Sequence, residues 1–179
     1  NDDYIVDTTP PTVSSVAINS EPSGEDAAGN RVQYNFLNAN DVVEMKVTFS
    51  EPPISAVIVD NSSGNPTLTL VVGSTNRTAQ YASGDNSTQQ VFRYTIQAGD
   101  NDSNGISIGA DALDNNSGTI RDRAGNIATN LTHSAVSHND DYIVDTTLPT
   151  VSSVAITDAA GVQNSFLNAG DNVSVTATF

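Results

Sequence analysis

Nine residues at the start of the chain, Asn1 to Thr9 (NDDYIVDTT), recur letter for letter at Asn139 to Thr147, and each copy runs on into PTVSSVAI. The duplication then continues. YNFLNANDVVEMKVTF in the first copy is matched by SFLNAGDNVSVTATF in the second once eight extra residues between Asn19 and Gln33 are set aside. The two copies start 138 residues apart, far beyond the period of solenoid units, so each repeat is expected to be a whole domain with its own core. Residues 1–10 read as the end of a preceding repeat and its linker, 11–147 as one complete repeat, and 148–179 as the first strands of the next. A chain built this way serves a function that gains from repetition.

Composition narrows the class. The polar residues are mostly Asn, Asp, Ser and Thr, which favour turns and strands over helices. With 6 Lys plus Arg against 21 Asp plus Glu the formal charge is −15, so the basic footprint that nucleic acid requires is missing. Of the acidic residues 17 are Asp, a short side chain suited to holding hard cations in loops, although the charge also keeps a long polymer soluble and self-repelling. There is no Cys, hence no disulfide and no thiolate metal site. No run of residues suits direct insertion into a membrane.

Alternation of period two dominates and predicts an all-β unit. In Val42 to Phe49 one face carries Val43, Met45, Val47 and Phe49, and the second copy keeps that face as Val173, Val175, Ala177 and Phe179. Val16 and Ile18, Leu68, Leu70 and Val72, and Phe92, Tyr94 and Ile96 are expected to point inward from three further strands. Shorter strands are expected over 54–59, 77–81, 105–108, 118–120 and 131–144, the last broken near His138. Asn61–Asn65, Ser83–Ser87, Asp100–Asn104 and Asp122–Asn126 are expected to be loops. Strands at this spacing make a two-sheet sandwich. The boundary sequences DTTPPT and DTTLPT carry Pro, which restricts the backbone and stiffens the junction.

DNDSNGISIGAD, Asp100 to Asp111, is the strongest local signal for chemistry. Asp100, Asp102 and Asn104 occupy alternate positions, Gly105 takes the sharp turn with positive φ, Ile106 offers a carbonyl and Asp111 falls at position twelve, the spacing of an EF-hand-type calcium loop without its helices. The alternative is an Asx-rich hairpin loop without metal. A second acidic cluster sits in the linker, Asp140, Asp141 and Asp145, with Asp2, Asp3 and Asp7 as its earlier copy. These carboxylates either bridge a cation between neighbouring repeats, joined by Asp41 or Asp171, or remain a solvated acidic linker. In DxAGN, Asp122 to Asn126, the Asp either ligates or caps a tight turn, and the turn reading is favoured.

Catalytic signatures are missing. His133 and His138 are the only imidazoles, and no nucleophile stands with a partnered base in a known motif, so the chain is not expected to be an enzyme.

Taken together, VDTTxPTVSSVAI, FLNAGDxVxVTxTFSE, PTLTLVVG, YTIQAGDNDSNGISIGADAL, GTIRDRAGNxA and LTHSAV resemble the bacterial immunoglobulin-like extender repeats of giant repeats-in-toxin adhesins, such as those of ice-binding and biofilm adhesins. The resemblance implies a calcium-stabilised immunoglobulin-like β-sandwich in tandem repeats, type I secretion, an extracellular position on the bacterial surface, and neighbouring repeats of the same chain as partners. It also implies calcium at Asp100, Asp102, Asn104 and Asp111 and around Asp141 and Asp145. This chain departs from the shorter family repeats by insertions near Asn19 and Val57. The expected role is a structural extender that projects ligand-binding domains from the cell. Two rivals remain: a glycan- or cell-binding module, with Tyr34 and Phe36 as its exposed aromatics, and a filament subunit in which residues 148–179 pair with another copy by strand addition.

Overall fold

Val42 to Phe49 alternates apolar and polar side chains, and a pleated strand converts that alternation into one buried and one solvated face. In the computed structural model of the chain, which describes residues 5–19, 23–25, 31–33, 36–51 and 56–179, Val43, Met45, Val47 and Phe49 are 0–3% exposed. The chain divides into two units, residues 1–146 and 147–179.

In the first unit the strands are β1 (Val13–Ile18), β2 (Ser23–Glu25), β3 (Arg31–Gln33), β4 (Phe36–Leu37), β5 (Val42–Phe49), β6 (Ile58–Asp60), β7 (Thr67–Val72), β8 (Thr75–Ser83), β9 (Gln89–Thr95), β10 (Asn101–Asp102), β11 (Leu113–Asp114), β12 (Thr119–Arg121) and β13 (Ile143–Asp145). Six of them form the main sheet in the order β1-β5-β9-β8-β7-β11, antiparallel throughout. Shorter ladders join β10, β13 and β4, and separately β12 and β6. Leu37 of β4, Ile120 of β12 and Val144 of β13 enter the same core as Phe92, Leu68 and Leu70 of the main sheet. The architecture is thus all-β, a main antiparallel sheet and shorter ladders contributing to one apolar core.

Sequence periodicity located the long strands well. Leu68, Leu70 and Val72 are buried on β7, Phe92, Tyr94 and Ile96 are buried on or just after β9, and Val16 and Ile18 pack partly buried against the core. β7 turns into β8 through two residues, with Gly73 at φ +60.

Four expectations need correction. The segment 105–108 is not a strand but makes isolated bridges at Ser107 and Ile108, and 131–144 is mostly irregular, with a bridge at Val136, a 3-10 turn at Asp140–Tyr142 and only three residues of β13. β8 runs on through Ser83, into the expected loop Ser83–Ser87. Asn101 and Asp102, expected in a loop, form a strand because they pair with Asp145 and Val144. The extra residues after Asn19 include a hairpin, β2 paired with β3. Tyr34 lies outside the described residues, as do residues 54 and 55 of the expected strand 54–59.

The second unit is a hairpin of β14 (Ser153–Ala160) and β15 (Asn172–Thr178), the sequence copies of β1 and β5. Its Val154, Ile156, Val173 and Val175 are 45–73% exposed.

Candidate metal centre

Three acidic side chains from distant stretches of sequence converge in the first unit. Asp7 follows the linker copy of Ile143–Val144, Glu51 lies two residues beyond β5, and Asp122 directly follows β12. Their carboxylate oxygens lie within 4.8 Å of one another, and among the described residues no other trio of His, Asp or Glu does so. Local structure explains the convergence. Thr12 and Ser50 exchange backbone and hydroxyl bonds, with Ser50 N–H to Thr12 carbonyl at 2.9 Å and their hydroxyls 2.8 Å apart, which ties the linker to the end of β5.

Asp122 is fully buried, and the Ala-Gly-Asn turn behind it supplies its donors. Asn126 gives its backbone N–H to Oδ1 at 2.8 Å and its side-chain amide to Oδ2 at 2.7 Å. Burial works against the ionised form of Asp122, but these donors and the backbone N–H groups of Gly125 and Ala124 outweigh it and hold the carboxyl below its usual range. The same Asn126 amide donates to the backbone carbonyl of Asp7 at 3.1 Å, so one side chain holds both the linker and the buried carboxylate. Glu51 shifts the other way. Burial, with the charges of Asp7 and Asp122 beside it, raises its carboxyl above the ordinary value.

A partly buried trio of carboxylates, one of them held ionised by its own turn, offers oxygen donors of the kind that hard divalent cations such as calcium take. Asp7 and Asp122 were legible as candidates in the sequence, but Glu51 was missed. The only signal was SEP immediately after the apolar strand, and it carries no spacing rule.

The twelve-residue loop turns out differently. Asp100 is buried and committed to protein donors: Arg77 at Oδ1, with the Tyr94 hydroxyl at 2.6 Å and the Gln97 N–H at 2.9 Å both at Oδ2. Asp102, also buried, accepts from Gly73 N–H at 2.7 Å and from Asn104 N–H at 3.2 Å. Ile106 is fully buried and donates its N–H to the Tyr142 carbonyl. Asp111, with φ +55, accepts from His133 N–H at 2.9 Å. Asn104 is exposed. The structure does not bring Asp100, Asp102 and Asp111 together as one cage, since the strand pairing of Asn101 and Asp102 opens the loop. Gly105 does take the expected positive φ, +88.

In the C-terminal linker copy, Asp140 and Asp141 lie exposed on the 3-10 turn capped by Asn139, and Asp145 ends β13. Asp2 and Asp3 lie outside the described residues. Asp41 accepts from the Asn38 N–H of its own turn at 2.7 Å, and Asp171 does the same with Asn168, so each closes a turn. His133 is partly exposed, and its Nε2 accepts from Ala112 N–H at 2.8 Å. Among the described residues no helix is long and apolar enough to cross a membrane. No family model matches the chain, and neither the curated proteins nor the solved structures contain a match to it.

Proposed function

We propose that this chain is a stretch of a tandem array of immunoglobulin-like sandwich repeats that acts as a structural extender of a bacterial surface adhesin, outside the cell, with calcium stiffening the junctions between repeats. One observation carries the reading: Asp7, in the copy of the repeat-ending sequence, meets Glu51 and Asp122 of the following sandwich. A cation held there clamps the linker to the domain, and the duplicated Asp145 would serve the next junction in the same way. Calcium at Asp140, Asp141, Asn104 and the remaining loop positions is secondary in this reading, because those side chains do not converge.

The chemistry is that of a clamp. A divalent ion offsets the repulsion that Asp7 and Asp122 exert on Glu51, while Asn126 orients Asp122 and the Asp7 carbonyl. At a free calcium of about 100 times the dissociation constant, one site adds about 2.7 kcal/mol, or roughly 8–12 °C in melting temperature for a unit of this size. Thermal unfolding of the whole chain in EDTA and in millimolar calcium tests the reading, with Glu51→Gln and Asp122→Asn beside it. A rise that both variants lose is expected. An equal rise in wild type and both variants would place calcium elsewhere, and no rise at all would refute the clamp.

A second reading, strand addition between copies to build a filament, draws on the exposed Val154, Ile156, Val173 and Val175 of the hairpin. Light scattering across concentration separates the two, since an extender stays monomeric at concentrations where strand addition forms multimers.

A further inference from the structure

Asn1 to Thr9 and Asn139 to Thr147 are the same peptide, and the fold treats them differently. The second copy is locked in. Ile143–Asp145 is β13, antiparallel to β10 with Asn101 opposite Asp145 and Asp102 opposite Val144, and parallel to β4 with Phe36 opposite Ile143 and Leu37 opposite Val144. Val144 is 2% exposed and shares the apolar core with Leu37. Bonds on either side extend the grip. Ile106 donates its N–H to the Tyr142 carbonyl at 3.2 Å, Thr146 N–H reaches Asn101 Oδ1 at 3.1 Å, and Gly99 N–H reaches the Thr146 hydroxyl at 2.9 Å.

In the first copy Ile5 and Val6, the twins of Ile143 and Val144, belong to no strand and are 70% and 85% exposed. The site that such a pair fits is already defined by β13. Sequence identity fixes the occupant, because every group that the slot between β10 and β4 recognises in 139–147 is present again in 1–9.

We propose that Asn1–Thr9 is a donor strand for a second copy of this chain, entering the slot between that copy's β10 and β4 in place of its β13. The attachment is compatible with the acidic trio. Successive side chains of a strand point to opposite sides, and beside buried Val144 the residue Asp145 is exposed. Val6 therefore enters one copy while Asp7 stays with Glu51 and Asp122 of its own. Neighbouring residues then belong to two copies, with no linker between them. Strand entry needs no cation at the trio. In the wild-type chain the tethered β13 holds the slot at an effective concentration on the order of millimolar, so exchange is rare at micromolar protein.

The test uses the whole chain with Val144→Asp, which places a charge in the apolar core and releases β13 while leaving Asn1–Thr9 intact. Analytical ultracentrifugation is expected to show association at least about tenfold stronger than in the wild type and in Val6→Asp/Val144→Asp, where the donor is spoiled as well. The double variant also serves if Val144→Asp fails to fold. A synthetic peptide of the Asn1–Thr9 sequence is expected to raise its melting temperature, and the same peptide carrying Val6→Asp is not. Equal association of the single and double variants would assign the contact to the hairpin and overturn the proposal. A folded, monomeric Val144→Asp chain would do the same, with the chain's own first copy in the slot. So would a peptide that leaves the melting of the double variant unchanged.

Discussion

At the scale of the residue, the most informative side chains are carboxylates whose surroundings push them in opposite directions. For Asp100, burial alone would raise the carboxyl, but Tyr94, Gln97 and Arg77 outweigh it and hold it below the ordinary range. A carboxyl depressed on folding lends stability that is fully present above its unfolded value of about 3.9 and is lost as pH falls through the folded value. Asp100→Asn is therefore expected to flatten the acid limb of the stability profile in urea titrations between pH 2 and 5. Tyr94 answers the same pair. Burial and then the hydrogen bond to Asp100 push its phenol up to about 12, and Tyr94→Phe, which leaves a buried carboxylate one donor short, is expected to cost about 2 kcal/mol. Glu51 has the reverse sign. Its folded carboxyl is raised, so ionised Glu51 costs stability above that value and the cost disappears as pH falls towards its unfolded value near 4.3. In EDTA at pH 7, Glu51→Gln is expected to raise the melting temperature, and in calcium to lower it relative to wild type. A variant that melts lower in both conditions would show that the trio is bound by packing alone.

At the scale of the element, legibility followed length. β5 was readable to the residue because eight alternating positions decide one face, and β7 and β9 were readable for the same reason. Two- and three-residue strands such as β10 and β13 have no period to read, and they exist through pairing, β10 with β13 and β13 in turn with β4. That pairing is also why DNDSNG, which matches a calcium loop in spacing, is spread along a sheet edge with its carboxylates turned to Arg77, Tyr94 and Gly73. Gly105 shows what the same stretch does require. It holds φ +88, and a Cβ there would lie 1.8 Å from the Asn139 carbonyl oxygen, so Gly105→Ala is expected to cost about 3 kcal/mol or more in chemical denaturation, against well under 1 at the open position Gly109.

At the scale of the molecule, the same apolar face on two sequence copies meets two different degrees of burial. Val43, Met45 and Val47 are sealed within the apolar core, whereas Val173 and Val175 on the copied strand are 45% and 61% exposed. Amide exchange is expected to be orders of magnitude faster across Ser153–Thr178 than across β5 and β9, because backbone bonds in a two-stranded ribbon have no core to close over them. Equal protection in the two regions would show that the hairpin finds a partner. The sequence alone determined the repeat, the all-β class, the inner faces of the long strands and the glycine at Gly105, since each depends on neighbours within a few residues or on direct comparison of two copies. Only the tertiary structure decided which carboxylates meet. Asp7, Glu51 and Asp122 are separated by 44 and 71 residues, and their approach follows from how the linker, the end of β5 and the turn after β12 are stacked around one core. Non-local packing of that kind leaves no periodic trace in the chain.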